Sequence, residues 1–396
     1  MLFRSLTAAM LDEGAGTRSS LQIADELEFF GATLSTTSSF DYSAVRLSVP
    51  VSKLNDALPL MADVSLRPTF PSTDLERLRK ERLTALLQAR DNPAQLIQIA
   101  FPRMLFGPTH RYGTSANGLP AAIESLTAAD LQTFYRAHYR PDNATLIVVG
   151  DVTTASIMPL LEKAFGGWKT QGVAPLVAEV PLAPQLKTRH IYLVDKPDAP
   201  QSQIRIGWIG VPRSTPDYAA LEVLNTILGG SFTSRLNQNL RETHGYSYGA
   251  SSAFDMRRSA GPFLAAAGVQ SDKTAPAVQE FFNELNGIVK PITDAELQKA
   301  KNYVALGFPA EFETTGDLAR KLEELVIYNL PDTTYSDFVA AVNKVTASEL
   351  QRLAARYIQP DKMAVVVVGD VKSIEGPIRQ LGLGPVTVVS IDELFR

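Results

Sequence analysis

His138-Tyr-Arg-Pro141-Asp-Asn-Ala-Thr-Leu-Ile-Val-Val-Gly150-Asp151-Val152 is written twice in this chain. It returns as Arg356-Tyr-Ile-Gln-Pro360-Asp-Lys-Met-Ala-Val-Val-Val-Val-Gly369-Asp370-Val371. Pro141 pairs with Pro360 and Gly150 with Gly369, an offset of 219 residues. Leu126-Thr-Ala-Ala-Asp-Leu131 matches Val345-Thr-Ala-Ser-Glu-Leu350, and Thr73-Asp-Leu-Glu matches Thr293-Asp-Ala-Glu. Ser38-Ser-Phe-Asp41 matches Ser251-Ser-Ala-Phe-Asp255 at a slightly smaller offset, the drift that loop changes leave. A period this long is domain duplication, not a solenoid.

Two homologous domains follow, 1–168 and 188–396. The linker between them, 169–187, carries Gly172, Pro175, Pro181 and Pro184 and little periodicity. In the first domain Ser19 or Ser20 caps a helix from Leu21 to Phe30, with Gly31 as its stop. Ala32 to Pro50 alternates and reads as a hairpin turning at Ser39 to Tyr42. A long charged helix, Thr73 to Arg90, breaks at Asp91-Asn92-Pro93, and Pro93 opens the next helix. Thr127 caps Ala128 to Ala137, and Leu146 to Val149 reads as an all-apolar strand. The second domain repeats strands and helices in the same mixed order. That pattern predicts an α+β fold, each domain a mostly antiparallel sheet packed with helices.

The second domain also holds Leu228-Gly-Gly-Ser-Phe-Thr-Ser-Arg-Leu-Asn-Gln-Asn-Leu-Arg241-Glu-Thr-His-Gly-Tyr-Ser-Tyr248-Gly249. Gly229, Gly230 and Ser231 open a helical turn that can bring its backbone close to another chain. Tyr246 and Tyr248 are two apart and share a face if the run is extended. Arg241 and Tyr248 on a buried edge would be donors for a carbonyl or an oxyanion. The plainer alternative is that Arg241 pairs with a carboxylate and Tyr248 fills core.

The composition excludes several classes. Of 396 residues 45% are hydrophobic and 20% charged, as in a well-cored chain, and the net charge is -4 with no basic block. Nucleic acid is not an expected partner. There is no cysteine, so disulfides and thiolate chemistry are excluded. No apolar run approaches a membrane span. The four histidines, His110, His138, His190 and His244, include no pair four apart, so HExxH and HxxEH are both absent. No GxSxG elbow, GxGxxG loop or acidic pair stands in their place.

The duplicated pattern, the Gly-Gly-Ser-Phe-Thr-Ser-Arg-Leu and Leu-Arg-Glu-Thr-His-Gly-Tyr-Ser-Tyr runs, and Leu-Ile-Val-Val-Gly-Asp-Val together resemble the M16 zinc peptidase family. The resemblance spans nearly the whole chain and implies half of a clamshell chamber. Active subunits of that family carry an HxxEH helix in the first domain. Register with that helix places Ser5 and Ala9 at the ligand histidines and Ala8 at the general-base glutamate. The distal ligand glutamate falls at Thr84 or Ala85. None of these side chains binds zinc as imidazole or carboxylate does.

Arg241 and Tyr248, by contrast, match an Arg/Tyr pair of the family's second domain. In two-subunit members that pair is carried by the partner lacking zinc. The resemblance therefore implies a noncatalytic subunit with no cofactor of its own. Its partner would be a catalytic M16 subunit carrying HxxEH and zinc, and its substrate a peptide or unfolded polypeptide. Gly229, Gly230 and Ser231 would line the substrate chamber. The alternative is a structural or peptide-binding homologue with no part in catalysis. An unrelated chemistry at His110 or His244 has no assembled partners. Family domains begin with strands ahead of the zinc helix, whereas Met1 to Gly14 reads as that helix itself. The start makes a poor signal peptide, and both periplasm and cytoplasm remain open as compartments.

Overall fold

A computed structural model of the chain describes residues 1–170, 172 and 179–396. Residues 171 and 173–178 of the expected linker lie outside the described residues.

In chain order the main elements begin with α1 (Leu2–Ala9), α2 (Ser20–Phe30), β1 (Thr33–Ser38), β2 (Ser43–Ser48), α3 (Leu54–Leu66), α4 (Ser72–Asp91), α5 (Pro93–Phe106), α6 (Ala128–His138) and α7 (Thr154–Phe165). Then come β3 (His190–Asp195), β4 (Gln201–Ile209), α8 (Tyr218–Asn225), β5 (Ser247–Phe254), β6 (Pro262–Gln270), α9 (Thr274–Gly287), α10 (Asp294–Gly307) and α11 (Thr315–Tyr328). The chain continues with α12 (Thr334–Lys344), α13 (Ala347–Tyr357), β7 (Ala364–Gly369), α14 (Val371–Gln380) and β8 (Val386–Val389).

Local chemistry sets several of these boundaries. Ser19 caps α2 in a reciprocal box with Gln22, and Gly31 ends the helix at φ +62°. Thr127 with Asp130 starts α6 in the same way, and Thr293 with Glu296 starts α10. Each cap is worth about 1 kcal/mol. The break between α4 and α5 is Asn92, whose Oδ1 accepts from the amides of Ala94 and Gln95 ahead of Pro93.

The chain divides into two compact units that do not follow its two sequence halves. The first takes Met1–Leu86, Ser115–Glu179 and Thr314–Val326; the second takes Leu87–Thr114, Val180–Glu313 and Ile327–Arg396. Thus α5 belongs to the second unit, and most of α11, its counterpart in the repeat, belongs to the first.

The second unit holds a six-stranded sheet in the order β8-β3-β7-β4-β6-β5. β8, β3 and β7 run parallel; β7, β4, β6 and β5 pair antiparallel. The valine run of β7 lies between β3 and β4, and all six of its residues are buried. Burial on both faces explains why it reads as a continuous apolar run without alternation. Val365 and Val367 join Leu193, Ile204, Ile206 and Phe281 in the main apolar cluster on one face. α5 lies against β4 and β7 and buries Leu96, Ile97, Ala100, Phe101, Leu105 and Phe106. A Cβ at Gly207 of β4 would stand 2.0 Å from the Phe263 carbonyl oxygen of β6 and 2.9 Å from the Phe101 ring, so glycine is needed where strand and helix meet.

Among the described residues the sheets of the first unit are the β1–β2 hairpin and a two-residue pairing of Gly14–Ala15 with Arg18–Ser19. The strand expected at Leu146 to Val149 does not form. Its counterpart β7 pairs with β3 and β4, whereas among the described residues no strand lies beside 146–149. Without ladder partners the segment stays extended but unpaired, with Leu146 and Val148 43% and 42% exposed. α7, α14 and β8 are not among the elements expected from sequence, although Thr153 and Ser156 cap α7 reciprocally and α14 buries Val371, Ile374 and Ile378 on one face.

Candidate functional site at the start of strand β5

α8 ends in a π turn, Thr226–Gly230, which buries Thr226, Ile227, Leu228 and Gly229. A Cβ at Gly229 would sit 2.3 Å from the amide nitrogen of Ser252, so glycine is needed where the turn meets β5. Asn225 and Asn237 tie the turns to the strand. Ser252 Oγ donates to Asn225 Oδ1 at 2.7 Å, and the Ala250 amide donates to Asn237 Oδ1 at 2.9 Å. Asn237 Nδ2 also donates to the Ser231 carbonyl, and Ser231 Oγ to that of Thr226. Gly229 is therefore a packing residue and Ser231 a tie between turns. Gly230 is exposed beside them.

A second π turn, Gln238–Thr243, carries Arg241. Single π turns cost regularity and concentrate at functional sites. The Arg241 guanidinium lies over the ring of Phe232 at 4.2 Å, and Phe232 is itself 64% exposed. Glu242 approaches Arg241 Nη1 at 3.3 Å, yet Nη1 is buried and donates no hydrogen bond. Ser234 Oγ and Asn239 Oδ1 are also buried without partners. Each such group costs about 1–3 kcal/mol. All three lie within one short stretch, residues 234 to 241.

Gly245, at φ +64°, turns the chain into β5. Tyr246 stacks on His244 with centroids 5.0 Å apart, and His244 Nε2 lies 3.8 Å from Glu280. β5 is the edge strand, and it begins with a bulge: Ser247 pairs with Val269, but Ala250 already pairs with Ala267. Ser247 Oγ pins the bulge by accepting from the Gly249 amide and donating to the Gly249 carbonyl. Bulges re-aim side chains, and here Tyr248 is turned out until it is 92% exposed.

Two expectations are thereby corrected. Tyr246 and Tyr248 do not share a strand face, because Tyr246 lies in the turn before the bulge. Nor is the edge buried, since Tyr248 fills no core. No hydrogen bond joins Arg241 to Tyr248 among the described residues. Phe232, Asn225 and Asn237 were not singled out from sequence. The one available signal was an apolar Phe232 inside a run of Gly, Ser and Thr.

The positions matched to the zinc motif lie on α1 and α4 of the first unit. Ser5 Oγ lies 2.5 Å from the Ala116 carbonyl and accepts from Arg82 at 2.9 Å. Ala8 is buried, Ala9 half-buried, and Thr84 and Ala85 exposed. Among the described residues no three His, Cys, Asp or Glu side chains gather into a group that could hold a metal. A hydroxyl and four apolar or neutral side chains do not fit zinc.

Residues 6–114 match the family model described as Insulinase (Peptidase family M16), and residues 125–304 match Peptidase M16 inactive domain. The chain belongs to the M16 peptidase family. A crystal structure of a peptidase M16 inactive domain from Pseudomonas fluorescens superposes with a TM-score of 0.86 at 27% identity, covering 93% of this chain and 88% of that one. A protease from Helicobacter pylori gives 0.82 at 21% identity, covering 93% and 90%. Among M16 relatives, an uncharacterised zinc protease of Mycobacterium tuberculosis is 25% identical over 361 residues, 91% of this chain and 82% of that protein. A probable mitochondrial-processing peptidase subunit beta of Arabidopsis thaliana is 22% identical over 379 residues, 92% of this chain and 70% of that protein.

Proposed function

We propose that this chain is the noncatalytic subunit of a two-chain M16 metallopeptidase. Its partner is a catalytic M16 subunit that carries HxxEH and binds the zinc. Arg241 and Tyr248 act on the partner's substrate, a peptide or unfolded polypeptide. The observation that carries this reading is the bulge of β5. It keeps a tyrosine side chain in solvent on an edge strand, next to the turn that holds Arg241 over the exposed ring of Phe232.

In this reading the two side chains donate to the scissile carbonyl as it gains negative charge, or hold the peptide backbone. Gly229, Gly230 and Ser231 shape the backbone beside them. Proton transfer and water activation belong to the partner, because Ser5, Ala8, Ala9, Thr84 and Ala85 supply no base or ligand. A donor aimed at a developing oxyanion is worth about 3 kcal/mol, or roughly two to three orders of magnitude in rate.

The test is peptide hydrolysis by this chain alone, by a zinc-loaded HxxEH-bearing M16 partner alone, and by the mixture. Activity confined to the mixture, and reduced about a hundredfold by Arg241→Ala with the complex intact, is expected. A stable complex whose activity ignores both Arg241→Ala and Tyr248→Phe refutes the reading. It would leave a structural or peptide-holding role.

A further inference from the structure

Four arginines stand on α4, and one differs from the others. Arg77 pairs with Glu13 and Glu81, Arg79 with Glu76, and Arg90 with Asp392. Arg82 has no carboxylate in ion-pair reach among the described residues. Its Nη1 donates to Ser5 Oγ at 2.9 Å, and that is its one described hydrogen bond. The Ser5 hydroxyl has a single proton, and the 2.5 Å contact to the Ala116 carbonyl takes it. Ser5 thus faces Arg82 as a neutral acceptor and balances none of its charge.

Arg82 is half-buried, and its burial pulls the guanidinium below its ordinary value without removing the charge. None of its nitrogens is among the buried atoms that lack a partner, so the remaining N–H groups reach solvent. Ala85 follows Arg82 by three residues on α4, and Ala9 follows Ser5 by four on α1. Such spacings put Ala85 on the Arg82 face of α4 and Ala9 on the Ser5 face of α1, and neither adds a charge or a hydrogen-bonding group there. A cation with no counter-ion, a fixed Nη1 and open N–H groups is the donor set that takes a carboxylate bidentately.

We propose that Arg82, held by Ser5, is a carboxylate-binding site in the first unit. These are the helices on which the family resemblance places the zinc ligands. A fixed single positive charge would then stand near where that metal would be. It can hold an oxyanion but cannot activate water. The ligand chemistry is a carboxylate, from a peptide C-terminus or from an acidic side chain. The proposal does not depend on the function proposed for Arg241 and Tyr248.

The experiment is calorimetric titration of the full chain at constant ionic strength. N-acetylalanine represents the C-terminal carboxylate, and N-acetylaspartate α-amide, with its β-carboxylate free, represents the side chain; N-acetylalanine amide is the neutral control. One or both carboxylates should bind while the amide does not, and the stronger of the two identifies the source. Arg82→Met should weaken binding at least about tenfold, the loss of one charge-assisted contact. Arg82→Lys, which keeps the charge but not the fork, should fall between. Thermal unfolding checks the fold: Arg82→Met removes an unpaired desolvated charge and should hold or raise the midpoint. Equal affinity in Arg82→Met, binding of the amide as well as the acid, or no binding by the wild-type chain overturns the proposal. So does a midpoint lowered in Arg82→Met, which would make Arg82 a structural tie to Ser5.

Discussion

β7 and residues 144–149 are the same sequence element copied into two units, and only one copy became a strand. Val365 to Val368 are buried between two neighbours, whereas Leu146 and Val148 stand more than two-fifths exposed with no ladder. The helices that go with them differ in the same direction. α5 buries six apolar side chains on the sheet of the second unit, while α11 buries none and leaves Leu318, Leu322 and Val326 in an exposed row. The sequences of the two copies are not the cause, since both strands are apolar and both helices amphipathic. The difference lies in the pairing: β3 and β4 flank β7, and among the described residues no strand pairs with residues 144–149. A strand is a property of its partners before it is a property of its residues.

The largest effect expected from this contrast is on stability. Phe101→Ala removes a fully buried ring from α5 and should cost about 3–5 kcal/mol in urea unfolding. Leu322→Ala at an exposed position of α11 should cost less than about 0.5 kcal/mol. Comparable losses at the two sites would mean that the apolar row of α11 is covered in solution.

Amide exchange sharpens the same comparison. The amides of Val365 to Val368 sit in a central strand and should exchange only through global unfolding. Those of residues 145–149 have no ladder and should exchange orders of magnitude faster. Slow exchange at 145–149 would show that strands flank this copy too.

These contrasts mark how far the sequence was legible. The hairpin at Thr33 to Ser48, the helix starts at Ser19, Thr127 and Thr293, and the break at Asn92-Pro93 were all readable, because caps, turns and proline act within a few residues. Residues 144–149 were misread because strand pairing depends on distant chain, as β7 depends on β3 and β4 far before it. The exchange of α5 and α11 between units was invisible for the same reason. At the proposed site, Arg241 and Tyr248 were singled out by motif alone. The bulge that exposes Tyr248 and the ring of Phe232 beneath Arg241 could not be, since a one-residue slip in register and a cation–ring contact leave no periodic trace.

Each unit also contains a two-point arginine–glutamate pair, and these should respond alike. Arg46 Nε and Nη2 reach Glu323 at 2.7 and 2.5 Å, joining β2 to α11. Arg235 reaches Glu296 at 2.9 and 3.2 Å, joining the turn after Ser234 to the start of α10. Both are partly solvated, so Glu323→Gln and Glu296→Gln should each cost about 1 kcal/mol, less in high salt. A much larger loss for Glu323→Gln, measured by denaturant unfolding, would show that this one pair holds α11 in place of apolar packing.

The smallest expected effect is a pH slope with one contributor in each unit. His138 of α6 is held below the usual histidine range by burial first and then by the Arg4 charge. His190 of β3 is held below it by burial alone, with its Nε2 against Thr387 Oγ1 at 2.8 Å. A histidine whose folded value is depressed binds fewer protons folded than unfolded in the window between the two values. Stability therefore rises with pH there, and is lost as the solution is acidified through the unfolded value near 6.5 and on down to the folded value. His138→Gln and His190→Gln should each flatten the fall in unfolding free energy between about pH 7.5 and 5.5. Salt separates them: the Arg4 contribution is screened at high ionic strength and the burial contribution is not. The slope removed by His138→Gln should shrink in salt while that removed by His190→Gln persists. Equal salt responses would assign both depressions to burial and leave Arg4 no part in the first.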